Sequence, residues 1–366
     1  MIKNALLIFL ICILIAVLFI LCYSPKAKNI EIKEKFISYE SDCAGFNNQR
    51  MGSEILFTIA NLYNRTIILP PRTMWPNVNE KCVITDYFDI DKLRKKYSIM
   101  LSSEWKPTQK MNYNQFIAYM ENRNTFKQRH LVNPERNTFL ECKNIFDKNQ
   151  KEEVWFFRAC RNNMKERMFG NFDAYFLKHP MKTKLRNDII ISYKFIKDIR
   201  SLVWKTLKKN GITKVGEYNA VHIRRTDFSH YRPNIFKLSS QNSIIRILKK
   251  YLDNKKLLII SDETNPEYFK PFYKHFNVIK LKYENYIPTK FIGILDMLSG
   301  VYAHRFIGTP LSTFSYYIIT LRNYLNKNID KKAYFTAENF DALVKNNKWE
   351  FKNGWSQIDP ERLISP

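Results

Sequence analysis

An apolar run that ends in two adjacent guanidinium groups and a carboxylate, Ala220-Val221-His222-Ile223-Arg224-Arg225-Thr226-Asp227, is the stretch of this chain best equipped for chemistry. An arginine presents a rigid fork of donors that matches phosphate oxygens, so a pair of them at the end of a buried strand could hold a diphosphate leaving group. The competing reading is a surface ion pair between Asp227 and one of the arginines, which is common and worth little. A second stretch, Gly308-Thr309-Pro310-Leu311-Ser312-Thr313-Phe314-Ser315, clusters hydroxyls where a strand gives way to a helix. The free N–H groups and positive dipole end of such a helix make an anion site, whereas N-capping needs one hydroxyl only. A third, Ile259-Ile260-Ser261-Asp262-Glu263, puts acidic groups at a strand end. They suit either a purine or ribose edge or the capping of a helix at Asn265-Pro266.

These groups must be held by regular elements, and hydrophobic spacing predicts them. Strands are expected at Phe36-Ile37-Ser38-Tyr39 and Thr66-Ile67-Ile68-Leu69, the latter stopped by Pro70-Pro71. Between them Gly45 to Arg50 reads as a strand-to-helix loop, and Met51, Ile55, Leu56, Ile59 and Leu62 share one helical face. A single long helix is expected from Leu185 to Lys209, closed by Asn210-Gly211. Beyond it comes a second alternating series: strand Tyr218 to Ile223, helix Ser240 to Tyr251, strand Lys256 to Ser261 and helix Asn265 to His275. Strand Val278 to Leu281, helix Phe291 to Ala303, strand Arg305 to Gly308 and helix Ser315 to Tyr324 complete it. Such alternation predicts parallel sheets with crossover helices, whose ligands bind beyond the carboxyl ends of the strands. Residues 72 to 185 are aromatic-rich and poorly patterned, with helices expected around Tyr113 to Arg123 and Lys165 to Leu177. Within them Asp89-Ile90-Asp91 has metal-binding D-x-D spacing, yet it opens the amphipathic segment DIDKLRKKY, where acidic groups suit a helix N-terminus.

With 366 residues, 45% apolar and 15% aromatic, the chain can bury more than one core. The formal net charge of +26 favours anionic partners, but the lysines are scattered instead of forming a basic tail or stripe. No zinc-finger, helix-turn-helix or RNA-binding signature accompanies them, which argues against nucleic acid as a partner. Ala5 to Cys22, ALLIFLICILIAVLFILC, is uninterrupted and apolar. Its length suits a membrane-spanning helix better than the shorter core of a cleaved signal peptide. Lys26, Lys28, Lys33 and Lys35 follow the span and only Lys3 precedes it, which by the positive-inside rule favours a cytoplasmic body. Cysteines point the other way: Cys43, Cys82, Cys142 and Cys160 lack metal spacing and number four, open either to two disulfides in an oxidising lumen or to four buried thiols. Asn64-Arg65-Thr66 permits N-glycosylation.

Taken in order, His222 to Asp227, Ile260 to Glu263 and Phe306 to Ser315 resemble the three peptide motifs of the GDP-fucose-dependent fucosyltransferase superfamily. Gly45-Phe46-Asn47-Asn48-Gln49-Arg50-Met51, then Asn64 to Pro71 and Tyr87 to Asp91, is similar to the amino-terminal domain of protein O-fucosyltransferases. The resemblance runs in pieces from Cys43 to Tyr324 and draws almost nothing from residues 95 to 185.

What it implies is a GT-B-like α/β fold, two Rossmann-like domains facing a cleft, which the apolar run at Ala5 to Cys22 would precede as one N-terminal transmembrane helix. The corresponding expected boundaries are anchor or signal 1–23, stalk 24–35, acceptor-side domain 36–210, nucleotide-sugar domain 211–335 and tail 336–366. The resemblance implies GDP-fucose as donor, a protein or glycan as acceptor, inversion at the sugar, and no metal or other cofactor. By position Arg224 would bind the β-phosphate and stabilise departing GDP, His222 would support the nucleotide or orient that arginine, and Arg225 is left to pair with Asp227. Asp262 resembles the residue that reads guanine, and Ser312, Thr313 and Phe314 the phosphate and nucleoside contacts. Gly45, Phe46 and Asn47 would line the cleft on the substrate side. One position departs. The branch that modifies thrombospondin repeats carries a general-base glutamate directly before Gly-Phe-Asn, and here that position is Ala44. Asp42 could reach in to replace it, another residue could serve, or deprotonation could occur late without a dedicated base; a chain that has lost its base could instead be a non-catalytic binding module. A further alternative keeps the fold and changes the nucleotide sugar. The expected setting is a type II membrane protein of the endoplasmic reticulum or Golgi, anchored by the N-terminal helix with its body in the lumen.

Overall fold

The structure is a computed structural model that describes residues 35–39, 45–75, 78, 80–105, 146–148, 150, 154–157, 182–325, 329–332 and 334–336. In chain order its elements are β1 (Phe36–Tyr39), α1 (Phe46–Leu62), β2 (Thr66–Leu69), β3 (Thr73–Trp75), β4 (Glu80–Cys82), α2 (Ile90–Arg94) and β5 (Ile99–Leu101). Then come β6 (Val154–Phe157), α3 (Lys182–Ser192), α4 (Lys197–Lys209), β7 (Tyr218–Ile223), α5 (Phe228–Tyr231), α6 (Pro233–Leu238) and α7 (Gln241–Tyr251). The chain continues through β8 (Lys256–Ser261), α8 (Lys270–His275), β9 (Val278–Ile279), α9 (Thr289–Tyr302), β10 (Phe306–Gly308), α10 (Thr313–Asn323) and β11 (Tyr334–Phe335).

Two parallel sheets organise these elements, as the alternating pattern predicts. The first has strand order β5-β2-β1-β6, the second β11-β10-β7-β8-β9, and β3-β4 is an antiparallel hairpin. In the second sheet the period of two divides β7 and β8 cleanly. Tyr218, Ala220, Leu258 and Ile260 face a core shared with α9 and α10, while Val221, Ile223 and Leu257 face one covered by Ile244, Ile247 and Leu248 of α7 and Phe272 of α8. Both faces are buried, which is why apolar residues fall on both faces of these strands, with Asn219 and His222 as buried polar exceptions in β7. The larger core joins the two sheets, because Ile37, Leu56 and Ile67 of the first half belong to the same cluster as Ile294, Leu298 and Ile318 of the second.

Several expectations are corrected. The long helix from Leu185 to Lys209 is two helices, α3 and α4, separated at Tyr193 to Ile196. There the backbone pairs sideways: Asp89 N–H donates to Lys194 O at 2.8 Å, Ile196 N–H donates to Tyr87 O at 3.0 Å, and Phe88 faces Phe195 as a bridge. Their rings lie 4.7 Å apart, so burial of two aromatics repays the lost helical bonds. The end of α4 does fall where Asn210-Gly211 puts it. Gly211 takes φ 72°, with Ile212 N–H on Leu207 O and Gly211 N–H on Lys208 O, both at 3.0 Å. The stretch Phe46 to Arg50 is the first turn of α1 and not a loop. Asp89 caps α2 by accepting from Lys92 N–H at 3.2 Å, in keeping with the structural reading of Asp89-Ile90-Asp91.

Cys82 is buried with a free thiol, so the pairing of all four body cysteines into two disulfides is not formed; Cys43, Cys142 and Cys160 lie outside the described residues. So do the expected anchor at 1–23, the stalk to residue 34, the helices near Tyr113 and Lys165, and the tail beyond Thr336. Among the described residues no helix is long and apolar enough to cross a membrane.

Candidate active site

The chain leaves β7 toward β8 and β9 on one side and returns to β10 and β11 on the other, so the strand order reverses between β7 and β10. In open parallel sheets the crevice beyond the carboxyl ends at such a reversal is where ligands bind. Parallel register sets His222 beside Ile260 and Ile223 beside Ser261, and Phe306 and Ile307 beside Ala220 and Val221. The segments that begin at Arg224, Asp262 and Thr309 therefore leave the sheet side by side.

The two arginines have opposite settings. Arg225 is a half-buried post: its Nε donates to Glu263 at 3.2 Å, Nη1 donates to Ser239 O at 2.8 Å, and the guanidinium lies 4.4 Å from the Phe236 ring and 4.3 Å from that of Tyr268. Arg224 is the more exposed. Its Nε and Nη2 both bond the Asp227 carboxylate, the former at 2.9 Å, and its guanidinium lies 4.8 Å from the Phe228 ring. The expected Arg225 to Asp227 pair is thus made by Arg224, because Asp227 sits three residues on in the turn that opens α5 and faces back toward Arg224.

His222 and the 308–315 segment form one hydrogen-bonded unit. His222 is 5% exposed, its Nδ1 lies 2.8 Å from Ser315 Oγ, and its ring lies 4.6 Å from that of Phe314. Burial, and then the neighbouring Arg224, lower its pKa from 6.5 to about 3, which favours the neutral ring. Ser315 Oγ also accepts from Thr309 N–H at 2.9 Å, and Thr309 Oγ1 donates to His222 O at 2.7 Å while accepting from Arg224 N–H at 3.0 Å. Leu311 takes φ 58°, a left-handed conformation costing a residue with a β-carbon about 1–2 kcal/mol. Such strain persists where the surroundings fix it and recurs at binding sites. Beyond it Ser312 is the N-cap of α10, yet its side chain makes no cap bond and its buried Oγ has no partner among the described residues. Thr313 is buried beside it.

Asp262 is turned inward. One carboxylate oxygen accepts from Arg225 N–H at 2.8 Å, and the other accepts from Thr226 N–H at 3.2 Å and from the Thr226 hydroxyl. Its visible work is to clasp the loop that presents Arg224. The capping alternative falls to Asn265, which accepts from Glu267 N–H at 3.0 Å.

In the first half Gly45 is the N-cap of α1 in an extended conformation. Phe46 packs into aromatic neighbours, 4.9 Å from Tyr87 and 5.9 Å from Phe88. Asn47 is 6% exposed, and its Oδ1, like that of Asn48, is buried with no partner among the described residues. Asp42 and Ala44 lie outside the described residues. The sequence reading also passes over Asp296, in the middle of α9, whose carboxylate accepts from the Tyr283 hydroxyl. Burial raises its pKa from 3.8 to about 6. An aspartate inside an otherwise apolar helical pattern, FIGILDMLSGVY, is the signal that could have found it.

No curated protein sequence matches this chain. Among solved structures, POFUT1 in complex with GDP-fucose superposes with a TM-score of 0.52 at 14% identity, over 82% of this chain and 97% of that one. POFUT1 in complex with GDP gives 0.51 at 14% identity, over 83% and 98%. The fucosyltransferase NodZ from Bradyrhizobium covers 78% of this chain and 92% of its own at 15% identity, with a TM-score of 0.46. At such identities the two POFUT1 superpositions establish a shared fold. The family model described as GDP-fucose protein O-fucosyltransferase matches residues 36–325, most of the chain and every segment that builds the site. With that match added to the fold, the chain belongs to the GDP-fucose protein O-fucosyltransferase family.

Proposed function

We propose that this protein transfers fucose from GDP-fucose, with inversion and without a metal, to a Ser or Thr hydroxyl of a protein or to a glycan hydroxyl, across a GT-B-type cleft between its two sheets. The observation that carries the reading is that the segments beginning at Arg224 and Thr309 leave the sheet side by side at the reversal between β7 and β10, tied by the Arg224 N–H to Thr309 Oγ1 bond, with the second of them leading into the N-terminus of α10. In the reaction an acceptor oxygen attacks the anomeric carbon from the face opposite GDP. The bond from that carbon to the β-phosphate oxygen breaks, and its electron pair leaves with GDP. Charge therefore develops on the diphosphate, where a preorganised guanidinium and helix N–H groups act most strongly. Arg224 exchanges its Asp227 partner for the β-phosphate, and Ser312 and Thr313 take the remaining oxygens. His222 holds the Ser315 and Thr309 frame, Phe314 and Asp262 border the nucleoside, and Gly45, Phe46 and Asn47 face the sugar and acceptor. The acceptor proton goes to a base, for which Asp42, three residues beyond β1, is our assignment. We place the body in the lumen of the endoplasmic reticulum or Golgi, held by the apolar segment near the N-terminus.

The test is release of GDP from GDP-fucose, with and without acceptor hydroxyls, beside other nucleotide sugars. Turnover confined to GDP-fucose supports the proposal; binding without turnover indicates a binding module, and preference for another sugar nucleotide changes the donor. Arg224→Ala should abolish turnover while leaving the fold intact. Protease resistance of the body in sealed microsomes, lost on adding detergent, is expected for the lumenal placement; digestion without detergent overturns it.

A further inference from the structure

The two halves of the site lie on separate helices, and a buried polar junction joins those helices. Arg50 of α1 is fully buried, and its Nε donates to Glu54 Oε1 at 2.6 Å. The second oxygen of Glu54 accepts from the Tyr317 hydroxyl of α10 at 2.8 Å. The Arg50 guanidinium lies 4.6 Å from the Tyr317 ring centre and 5.1 Å from that of Phe88, and its Nη1 and Nη2 have no hydrogen-bond partner among the described residues. A buried cation held by one carboxylate and aromatic faces is costly to keep and costlier to break.

Helical spacing says what the junction does. Asn47, Arg50 and Glu54 are at i, i+3 and i+7 on α1, and Thr313 and Tyr317 are at i and i+4 on α10, so each set shares a helical face. Counting about 1.5 Å per residue, the N-terminal ends of both helices lie within roughly 12 Å of the junction along their axes. Those ends carry the unpartnered oxygens of Asn47, Asn48 and Ser312.

We infer that Arg50, Glu54 and Tyr317 are positioning residues that set α1 against α10, and so register the acceptor-side end of the cleft with the donor-side end. This rests on the donor reading above. The junction touches no reacting atom, and Arg224, His222 and the 308–315 segment bind donor without it. Its loss should therefore slow transfer and spare donor binding.

The experiment compares wild type with Tyr317→Phe, Glu54→Gln and the double variant. Calorimetry measures GDP affinity, steady-state kinetics measures kcat and KM for GDP-fucose, and hydrogen exchange follows the amides of residues 46–62 and 313–323. The expected result is a fall in kcat of about 10-fold or more, equivalent to about 1.4 kcal/mol in the barrier. GDP affinity and KM should stay within about 2-fold, exchange should quicken along both helices, and the double variant should be no worse than either single one. Unchanged kcat, or kcat and GDP affinity falling together, overturns the inference. If wild type neither binds GDP nor turns over GDP-fucose, the donor reading fails. The junction is then judged by exchange alone, and unaltered protection of the two helices in Tyr317→Phe overturns it too.

Discussion

Arg224 and Arg225 share a peptide bond and almost nothing else, and substitution should separate them. Arg225 is 16% exposed and paired with Glu263, which is 19% exposed. Removing Arg225 takes away its bonds to Glu263 and Ser239 O and its packing on Phe236 and Tyr268, while Glu263 keeps the Asn265 N–H, so Arg225→Ala should lower stability by about 1–3 kcal/mol. Arg224→Ala should change stability by less than about 1 kcal/mol, because its partner Asp227 is solvated, and should remove activity. Chemical denaturation beside a turnover assay distinguishes the two; equal destabilisation would contradict the assigned division of labour. Two further side chains make a pH prediction. His222 has a folded pKa of about 3 against 6.5, so the unfolded chain binds the extra proton between those values and His222 favours folding increasingly as pH rises from 3 to 6.5. Asp296 has a folded pKa of about 6 against 3.8, so the native state binds the extra proton and stability falls as pH rises through that window. Each slope has a limit of about 1.4 kcal/mol per pH unit, and the two oppose each other between pH 4 and 6. Asp296→Asn should expose the His222 slope, seen as stability that climbs with pH over this range by more than in wild type. An unchanged profile would show that the Asp296 carboxylate does not titrate as assigned.

The short β10-to-α10 connection shows how closely an element can be held. A β-carbon on Gly308 would lie 2.8 Å from Ser315 Cβ and 3.2 Å from the Phe306 ring, with no flexible end to give way. Gly308→Ala should therefore push α10 off β10, disturb the His222 to Ser315 contact and weaken GDP binding by about 10-fold or more, with a stability loss of about 1–3 kcal/mol. Retained GDP affinity on calorimetry would mean that the helix end is not seated by this contact. The sequence made these elements legible where burial is two-sided: Tyr218 to Ile223 and Lys256 to Ser261 are predominantly apolar runs bounded by polar turns, and both ends were readable. It could not show the break between α3 and α4, because the apolar face runs on through Tyr193 and Ile196 and the interruption comes from Phe88, a hundred residues away. Nor could it show that Asn47 and Asn48 are helical, since asparagine is a poor helix former except near a first turn, where these two lie. At the site the motif positions were legible and the hydrogen bonds were not. Asp262 turned out to clasp the Arg225 and Thr226 amides, and Asp227 to hold Arg224, since a carboxylate's choice among nearby donors depends on turn geometry.

Over the whole molecule the charge is lopsided, with 60 lysines and arginines against 34 acidic residues, and the proposed donor is an anion. A net charge of +26 has no bearing on which fold forms, but a surface field of one sign raises the local concentration of an anionic ligand and the rate at which it arrives. The polar groups proposed to meet the diphosphate, Arg224 and the N-terminus of α10, act within a few ångströms and partly out of water, where salt screens little. Long-range attraction by scattered lysines is different, because the screening length shrinks from about 14 Å near 50 mM salt to about 4 Å near 500 mM. Stopped-flow association of GDP should therefore slow severalfold over that range. The dissociation rate and kcat at saturating donor should change by less than about 2-fold, since they depend on the close contacts. Arg224→Ala should reverse the pattern, raising the dissociation rate while leaving the salt dependence of association nearly intact. If association is indifferent to salt, the positive excess does not focus on the cleft and belongs to surface solvation alone. If dissociation carries the salt dependence instead, the phosphate contacts are more open to water than the half-buried setting of Arg224 implies.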